Sequence, residues 1–153
     1  MKSQKLQDKL KLHFAFDPTS QQNQIINNIS EFVTTIGNKN IFILKGYAGT
    51  GKTTLIASLV KSLPVLGKRS VLIAPTGRAA KVLSKYAKKA ASTIHKKIYW
   101  IKTNKNGNTF ISLKENTHRD TIFIVDEASM IPEMSDKGFG NRSLLEDLIK
   151  YVY

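Results

Sequence analysis

Residues 46–53 have the types and spacing of a site that binds phosphate. They read Gly-Tyr-Ala-Gly-Thr-Gly-Lys-Thr and match the pattern G-x-x-x-x-G-K-[ST] at every fixed position. Such glycines let backbone N–H groups face one anion, the lysine brings positive charge to the β- and γ-phosphates, and the last hydroxyl can bind Mg²⁺. The alternative is a glycine-rich turn with a surface lysine, which the flanking strand and helix signals disfavour. The predicted nucleotide site comprises Gly46, Tyr47, Ala48, Gly49, Thr50, Gly51, Lys52, Thr53 and Thr54.

A second set of reactive side chains lies further along the chain. Asp126 and Glu127 follow the apolar run 121–125. Asp126 is predicted to hold Mg²⁺ together with Thr53, and Glu127 to polarise the water that attacks the γ-phosphate. Phosphoryl transfer depends on positioning and electrostatic stabilisation, so Lys52, Asp126 and Glu127 form the predicted catalytic set. The alternative is that the two acids only stabilise the start of a helix.

Strands and helices alternate around both sets. Apolar runs predict buried strands, and apolar residues at helical spacing predict helices. Strands that alternate with helices indicate an α/β protein with a parallel sheet. The Lys-rich residues 1–13 indicate a frayed helix. The predicted strands are 41–45, 70–74 and 121–125, and the predicted helices lie between Thr19 and Gly37, over 52–63 and about 78–89, and at the C-terminus.

Residues 97–113 interrupt this alternation. Two β-rich segments flank an Asn-Gly pair at 106–107, which is the strongest short signal for a β-hairpin. We therefore predict an antiparallel hairpin inserted into the βαβ order. The aromatic side chains Tyr99, Trp100 and Phe110 either stack on a nucleic-acid base or pack across the hairpin, and packing is favoured more for Phe110 than for Trp100.

Composition limits the class of protein. The 153 residues correspond to one domain, and 41% of them are hydrophobic, which is enough for a core. Cys is absent, so disulfides and Cys-ligated metals are excluded. The three His are not spaced as metal ligands. There is neither a bilayer-spanning run nor a secretory signal, and a cytoplasmic protein is expected. The net charge of +13 predicts a nucleic-acid partner more than an acidic membrane surface, for which no basic amphipathic helix is evident.

Together these motifs resemble superfamily 1 DNA helicases of the 5′→3′ branch, the RecD/Dda-like group. The resemblance runs from about Thr19 to the end of the chain. Motif I is represented by 46–53, motif Ia by 74–80, the segment that follows it by 92–95, motif II by 126–130, and the Q motif by 19–22, with Gln22 as the implied adenine reader.

The resemblance implies a RecA-like P-loop NTPase fold that uses ATP and Mg²⁺ and acts on single-stranded DNA or a DNA fork. It implies a partial ATPase domain over 19–153, with a hairpin subdomain at about 96–116 whose hairpin acts as a strand-separating pin. Residues 1–18, which precede the resemblance, form a basic segment. For His95, a role as a hydrogen-bonded structural residue is given the same weight as a contact with DNA. The implied DNA contacts are Pro75, Thr76, Gly77, Arg78, Lys81, Thr93, His95 and Trp100.

The sequence also departs from the group. Tyr47 stands where proline is common, a polar loop is predicted over 133–142, and motif III, the second RecA-like domain and its arginine finger are missing. We therefore expect the N-terminal part of a longer helicase, with an incomplete sheet, slow hydrolysis and no unwinding by itself. The alternatives are a non-helicase P-loop ATPase associated with DNA, a DNA-binding module with a vestigial nucleotide site, and a small-molecule kinase.

Overall fold

The computed structural model describes residues 1–14, 16–35, 37, 40–47, 49–132 and 143–153. The polar loop predicted over 133–142 therefore lies outside the described residues. The chain divides into two units, of which the first comprises Met1–Ser70, Lys85–Lys89 and Asp120–Ile122, and the second Val71–Ser84, Ala90–Arg119 and Phe123–Tyr153. Within the described ranges, no helix combines the length and the apolar character needed to cross a bilayer.

Three helices form most of the first unit: α1 (Lys2–Leu12), α2 (Ser20–Thr34) and α3 (Lys52–Ser62). The starts predicted for α2 and α3 are confirmed. α2 begins after Thr19 because this residue forms a capping box with Gln22. Thr19 Oγ1 accepts from the Gln22 backbone N–H at 3.3 Å, and Gln22 Oε1 accepts from the Thr19 N–H at 3.0 Å.

The N-terminal helix α1 belongs to the core of the first unit, although its sequence is rich in lysine. Leu6 and Leu10 are 0% exposed, and α1 packs against α2 and α3. Ser58 Oγ donates to the Leu10 carbonyl at 2.7 Å, and His13 Nδ1 lies 3.0 Å from Ser62 Oγ. Burial of each leucine contributes about 1.5–3 kcal/mol to this docking.

The strand predicted over 41–45 is wrong. The segment belongs to no strand, and Ile41 and Ile43 are 61% and 72% exposed. Phe42 is half-buried, with its ring centroid 5.5 Å from that of Phe32 in α2. A buried strand needs hydrogen-bonded neighbours and cover on both faces. In the described part of the first unit, no strand pairs with this segment, and its contact with α2 is the one between Phe42 and Phe32.

The rest of the described chain supplies the strands and the remaining α-helices, which are β1 (Arg69–Ala74), α4 (Gly77–Ala87), β2 (Ala91–Thr93), α5 (Ile94–Ile98), β3 (Tyr99–Thr103), β4 (Thr109–Leu113), β5 (Thr121–Val125) and α6 (Leu144–Val152). Three of the strands form a sheet of order β2-β1-β5, with β1 and β2 parallel. Hydrogen bonds from Arg69 N to Asp120 O (2.8 Å) and from Asp126 N to Ile73 O (3.1 Å) show that β5 runs in the same direction as β1. The predicted α/β fold with a parallel sheet is confirmed.

The core of the second unit includes one face of α6. Leu144, Leu148 and Tyr151 recur at helical spacing and are buried, so they give α6 its apolar face. The buried Tyr99 hydroxyl donates to Asp147 Oδ2 at 2.7 Å, and Asp147 is only 9% exposed. Because a buried carboxylate is costly unless it is hydrogen-bonded, this bond helps to fix α6 in place. The buried residues of this core are Ile73, Ile94, Ile98, Tyr99, Leu144, Leu148 and Tyr151.

The predicted antiparallel hairpin is confirmed as β3 and β4. Its turn is longer than the Asn-Gly pair alone. Asn104 Oδ1 accepts from the backbone N–H groups of Asn106 at 3.0 Å and Asn108 at 2.9 Å. Gly107 has a φ of +80°, which glycine adopts without steric cost. The side chain of Asn104 therefore organises a polar turn between the two strands.

Candidate functional site

The phosphate loop leads into the first turn of α3, in the first unit. Its bend is present, since Gly49 and Gly51 have φ of +80° and +86°, a left-handed conformation that side chains disfavour. Gly51 is also close to Gln22, because a Cβ at position 51 would lie 2.8 Å from Gln22 Nε2. Position 51 thus favours glycine for its backbone conformation, and a Cβ there would also make the flexible end of the Gln22 side chain shift.

Lys52 lies in the first turn of α3 and turns back onto the loop. Its Nζ donates to the carbonyl oxygens of Gly46 at 2.6 Å and Tyr47 at 2.7 Å. An ammonium group has three donors, so one donor remains for a phosphate oxygen. The positive end of the α3 dipole lies at the same place. The loop therefore concentrates positive charge where the sequence predicts phosphate.

Thr50 and Gln22 brace the loop from within the first unit. Thr50 Oγ1 donates to the Tyr47 carbonyl at 2.8 Å, and Gln22 Nε2 donates to the Thr50 carbonyl over a long 3.4 Å. Gln22 Oε1 already caps α2 through Thr19. Both polar atoms of the Gln22 amide therefore have protein partners, although the resemblance implies that Gln22 reads adenine.

The other residues of the predicted nucleotide site differ in exposure. Thr53 is half-buried in the first turn of α3, where its hydroxyl is close to the loop in sequence. Thr54 and Tyr47 are exposed, and Tyr47 reaches 90% exposure. Ala48 lies outside the described residues.

Asp126 and Glu127 follow β5 directly, in the second unit. The Asp126 N–H continues the sheet through its bond to Ile73, and Asp126 Oδ1 accepts from the Glu127 N–H at 3.0 Å. Glu127 has a φ of +54°, which costs a residue with a side chain about 1–2 kcal/mol. Backbone strain of this kind clusters at functional sites. The Glu127 side chain makes no capping hydrogen bond to the following 3₁₀ turn, Ala128–Met130, which disfavours a purely structural role.

The carboxyl ends of three strands bring several predicted residues to one edge of the sheet. β5 ends before Asp126, β1 leads into Pro75 and Thr76, and β2 ends at Thr93. The register places Ala74 opposite Thr93. In α/β proteins, ligands bind outside the carboxyl ends of parallel strands. The acidic pair and the segments predicted to contact DNA therefore share the edge at which a ligand is expected.

Two threonines at this edge also begin helices. Thr76 Oγ1 accepts from the Ala79 N–H at 3.2 Å at the start of α4. Thr93 Oγ1 accepts from the Lys96 N–H at 3.2 Å at the start of α5. Loss of such a cap typically costs about 1 kcal/mol. Both hydroxyls therefore have a structural role in addition to any contact with DNA.

The predicted cationic contacts are accessible, whereas the predicted histidine is partly enclosed. Gly77, Arg78 and Lys81 are exposed on α4, so both cations can reach phosphate groups. His95 is half-buried, and its ring centroid lies 5.9 Å from that of Tyr99. The structure thus gives His95 a packing role beside its predicted DNA contact.

The aromatic side chains of the hairpin separate into two groups. Tyr99 is 5% exposed and bonded to Asp147, so it is not available to stack on a base. Trp100 and Phe110 are 58% and 61% exposed. Phe110 lies opposite Lys102 across the strands, and Trp100 is its diagonal neighbour on the same face. The alternation of side chains along the two strands is a sequence signal that could have predicted that Trp100 and Phe110 lie on the same face of the hairpin.

The atoms predicted to bind Mg²⁺ are hard oxygen donors. The described ranges contain no group of three or more His, Cys, Asp or Glu side chains arranged to hold a metal. Mg²⁺ usually binds one or two carboxylates together with substrate phosphates rather than an all-protein cage. The Thr53 hydroxyl and the Asp126 carboxylate fit that donor set.

A family profile described as AAA domain matches residues 19–136. The protein named ATP-dependent DNA helicase dda, of Enterobacteria phage T4, is 32% identical over 117 residues, which is 74% of this chain and 26% of that protein. Uncharacterized protein R530 of Acanthamoeba polyphaga mimivirus is 30% identical over 155 residues, which is 87% of this chain and 29% of that protein.

The chain therefore spans between a quarter and a third of the length of these relatives. The phosphate loop, the parallel sheet and the acidic pair all lie inside the range that the family profile matches. The chain belongs to the AAA domain family, as an ATPase domain of the superfamily 1 helicase type.

Proposed function

We propose that this chain is the N-terminal ATP-binding part of an ATP-dependent 5′→3′ DNA helicase that translocates along single-stranded DNA. The observation that carries the proposal is the carboxyl edge of the sheet, where Asp126 and Glu127 follow one strand and Pro75 and Thr76 follow its neighbour. An edge shared by hydrolytic acids and a DNA-contacting segment can link ATP turnover to a DNA track. The phage T4 relative is named an ATP-dependent DNA helicase, which supports the same proposal.

The nucleotide chemistry follows from the side chains. Lys52 keeps one ammonium donor for a phosphate oxygen while its other two hold the loop. Bound Mg²⁺ would neutralise charge on the phosphates, and Thr53 and Asp126 would hold it. Glu127 orients the attacking water. Gln22 recognises adenine: its side-chain amide gives up the long hydrogen bond to the Thr50 carbonyl and forms hydrogen bonds with the base instead.

The DNA track uses exposed cations and backbone at the same edge. Arg78 and Lys81 neutralise phosphates, and Pro75, Thr76 and Gly77 line the strand. Thr93 and His95 contact the same strand from β2 and α5. The net charge of +13 strengthens DNA binding and makes it sensitive to salt.

The longer protein supplies the rest of the motor. A second RecA-like domain of the same protein contributes an arginine finger, which is typically worth about 10³ to 10⁵ in hydrolysis rate. Unwinding at a DNA fork requires both domains, so it belongs to the longer protein and not to this chain alone.

The first test measures ATP hydrolysis by this chain with and without single-stranded DNA. We expect slow ATP hydrolysis that is stimulated by DNA. Lys52→Ala and Glu127→Gln should each abolish this hydrolysis, and Glu127→Gln should still bind the nucleotide. Hydrolysis indifferent to DNA would instead indicate a non-helicase ATPase. Nucleotide binding unchanged by Lys52→Ala would indicate a DNA-binding module with a vestigial site.

The direction of movement is tested in the longer protein that contains this chain. We expect it to unwind a duplex with a 5′ single-stranded tail and to leave a duplex with a 3′ tail intact. The opposite preference would contradict the proposed 5′→3′ direction.

A further inference from the structure

The exposed side of the N-terminal helix α1 carries a row of lysines. Lys2, Lys5 and Lys9 are all exposed, and steps of three and four residues place side chains next to one another on a helix. Lys11 is also exposed, but it lies roughly 160° around the helix from Lys9. We call Lys2, Lys5 and Lys9 the lysine stripe.

The buried side of α1 holds the lysine stripe in a fixed place on the first unit. Leu6 and Leu10 are 0% exposed, and α1 packs against α2 and α3. Two serines of α3 that are each 1% exposed bond to the end of α1. Ser58 Oγ donates to the Leu10 carbonyl at 2.7 Å, and Ser62 Oγ lies 3.0 Å from His13 Nδ1. The backbone that carries the stripe is therefore already ordered, which lowers the entropy cost of binding a ligand.

The charge of α1 is not balanced within the helix. Its 11 residues contain four lysines and one carboxylate, that of Asp8. This carboxylate accepts a hydrogen bond from Gln4 Nε2 at 2.9 Å, and within the described ranges no acidic side chain pairs with the stripe. Like charges three or four residues apart destabilise a helix. The stripe therefore does not serve folding, and an anionic partner would relieve its repulsion.

The spacing of the lysine stripe fits a chain of phosphates. The three lysines extend over about 10 Å of helix axis, and one strand of a nucleic acid carries about three phosphates over that length. A lysine contacts phosphate as a point charge on a flexible stem, and such contacts do not read bases. The chemistry of the stripe is therefore that of a backbone contact.

An anionic membrane fits α1 less well. A helix that lies on a bilayer buries its apolar face at the boundary between headgroups and acyl chains. The apolar face of α1 is already used by the protein, since Leu6 and Leu10 are 0% exposed and only Leu12 of its three leucines is exposed. The lysines would then bind lipid headgroups without the apolar contact that such helices use.

We propose that the lysine stripe binds the sugar-phosphate backbone of single-stranded DNA, with one phosphate at each lysine and no preference for base sequence. The stripe belongs to the first unit, whereas Arg78 and Lys81 belong to the second. It also precedes residue 19, where the family match begins, so it is additional to the DNA contacts proposed above. The identity of the ligand as DNA rests on the proposed function.

The first test measures the affinity of the chain for a labelled thymidine oligonucleotide by fluorescence anisotropy at several salt concentrations. Each phosphate contact with a single strand adds about 0.7 to the slope of log affinity against log salt concentration. The triple variant Lys2→Gln, Lys5→Gln and Lys9→Gln should therefore lower the magnitude of that slope by about 2. An unchanged slope would overturn the proposal.

The matched control removes the same number of charges outside the stripe. It combines Lys11→Gln, Lys61→Gln and Lys150→Gln, which alter three exposed lysines. Glutamine keeps a helix propensity close to that of lysine, so both triple variants should unfold at the temperature of the parent. Salt at 0.1 M screens charges beyond about 10 Å, so lysines that do not touch the strand should leave the slope unchanged. An equal fall in slope for both variants would show that net charge, and not the stripe, controls binding.

The second test compares two base sequences. Because backbone contacts carry no sequence information, the stripe variant should lose the same factor of affinity for a thymidine and for an adenine oligonucleotide. A loss confined to one of the two would contradict a backbone contact.

The outcomes separate this proposal from the proposed function. If Arg78→Ala weakens binding of the oligonucleotide while the stripe variant binds like the parent, the stripe is refuted and the proposed function stands. If the stripe variant loses affinity but DNA does not stimulate ATP hydrolysis, the stripe is retained and the proposed function fails. If the stripe variant binds DNA like the parent but no longer binds phosphatidylserine vesicles that the parent binds, the stripe serves a membrane and the proposal is overturned.

Discussion

The side-chain Nε2 of Gln22 lies 2.8 Å from the point that a Cβ of residue 51 would occupy, so Gly51 is in contact with the start of α2. The same glycine has a φ of +86°. The backbone conformation therefore opposes a side chain at this position, and a Cβ there would also displace the flexible amide of Gln22. Gly49 shares the backbone conformation but not the contact, since its φ is +80° and a Cβ there would meet no atom within 4 Å.

Gly51→Ala should weaken ATP binding more than Gly49→Ala. Positive φ costs either alanine about 1–2 kcal/mol, and Gly51→Ala must also displace Gln22. Titration calorimetry on the two variants measures the difference. Equal losses of affinity would show that the contact with Gln22 does not shape the loop.

Gln22→Ala should reduce the preference for ATP over GTP. The variant loses the long 3.4 Å bond to Thr50, which is weak, and the proposed bonds to adenine. Inorganic tripolyphosphate has no base, so Gln22→Ala should weaken its binding free energy by only about 0.5 kcal/mol. The binding free energy of ATP should weaken by about 1–3 kcal/mol. Gln22→Glu keeps an oxygen to cap α2 and is the control for helix stability. Equal losses for ATP and tripolyphosphate would contradict adenine reading.

Glu127→Gly should be more stable than Glu127→Ala by about 1 kcal/mol, because glycine adopts positive φ without steric cost. Both variants should fail to hydrolyse ATP, since both lack the carboxylate that is proposed to orient water. Urea unfolding gives the stability difference. If the two variants unfold at the same urea concentration, the φ of +54° at Glu127 carries no strain.

Tyr99→Phe should lower the free energy of unfolding by about 1–3 kcal/mol, because it removes a hydrogen bond from a buried carboxylate. That carboxylate belongs to Asp147, which is 9% exposed. Tyr86→Phe makes the same chemical change on a side chain that is 58% exposed, and it should stay within about 0.5 kcal/mol of the parent. Similar thermal unfolding midpoints for the two variants would rule out the proposed importance of this bond.

Local signals in the sequence predicted much of the fold and the candidate site. The capping pair Thr19 and Gln22 marked the start of α2, and the Asn-Gly pair at 106–107 marked the hairpin. The phosphate loop was recognisable because its glycines and lysine act within a few residues of one another. Each of these features depends on neighbours in sequence.

Features that depend on distant partners could not be predicted. The apolar run at 41–45 looks like a strand, yet strand formation needs a pairing partner, which sequence alone does not reveal. β2 is three residues long and exists because it pairs with β1. The bond between Tyr99 and Asp147 joins residues far apart in the chain. The exposure of Phe110 likewise follows from which face of β4 the core occupies.

The docking of α1 sets a limit on where this protein can be cut. The family match begins at residue 19, and a gene trimmed to 19–136 would discard Leu6 and Leu10, which are 0% exposed. The apolar surface of α2 and α3 that they cover would then meet water, and recombinant material of that length should be prone to aggregate. Met1 is fully exposed, so an affinity tag placed before it should leave the helix undisturbed.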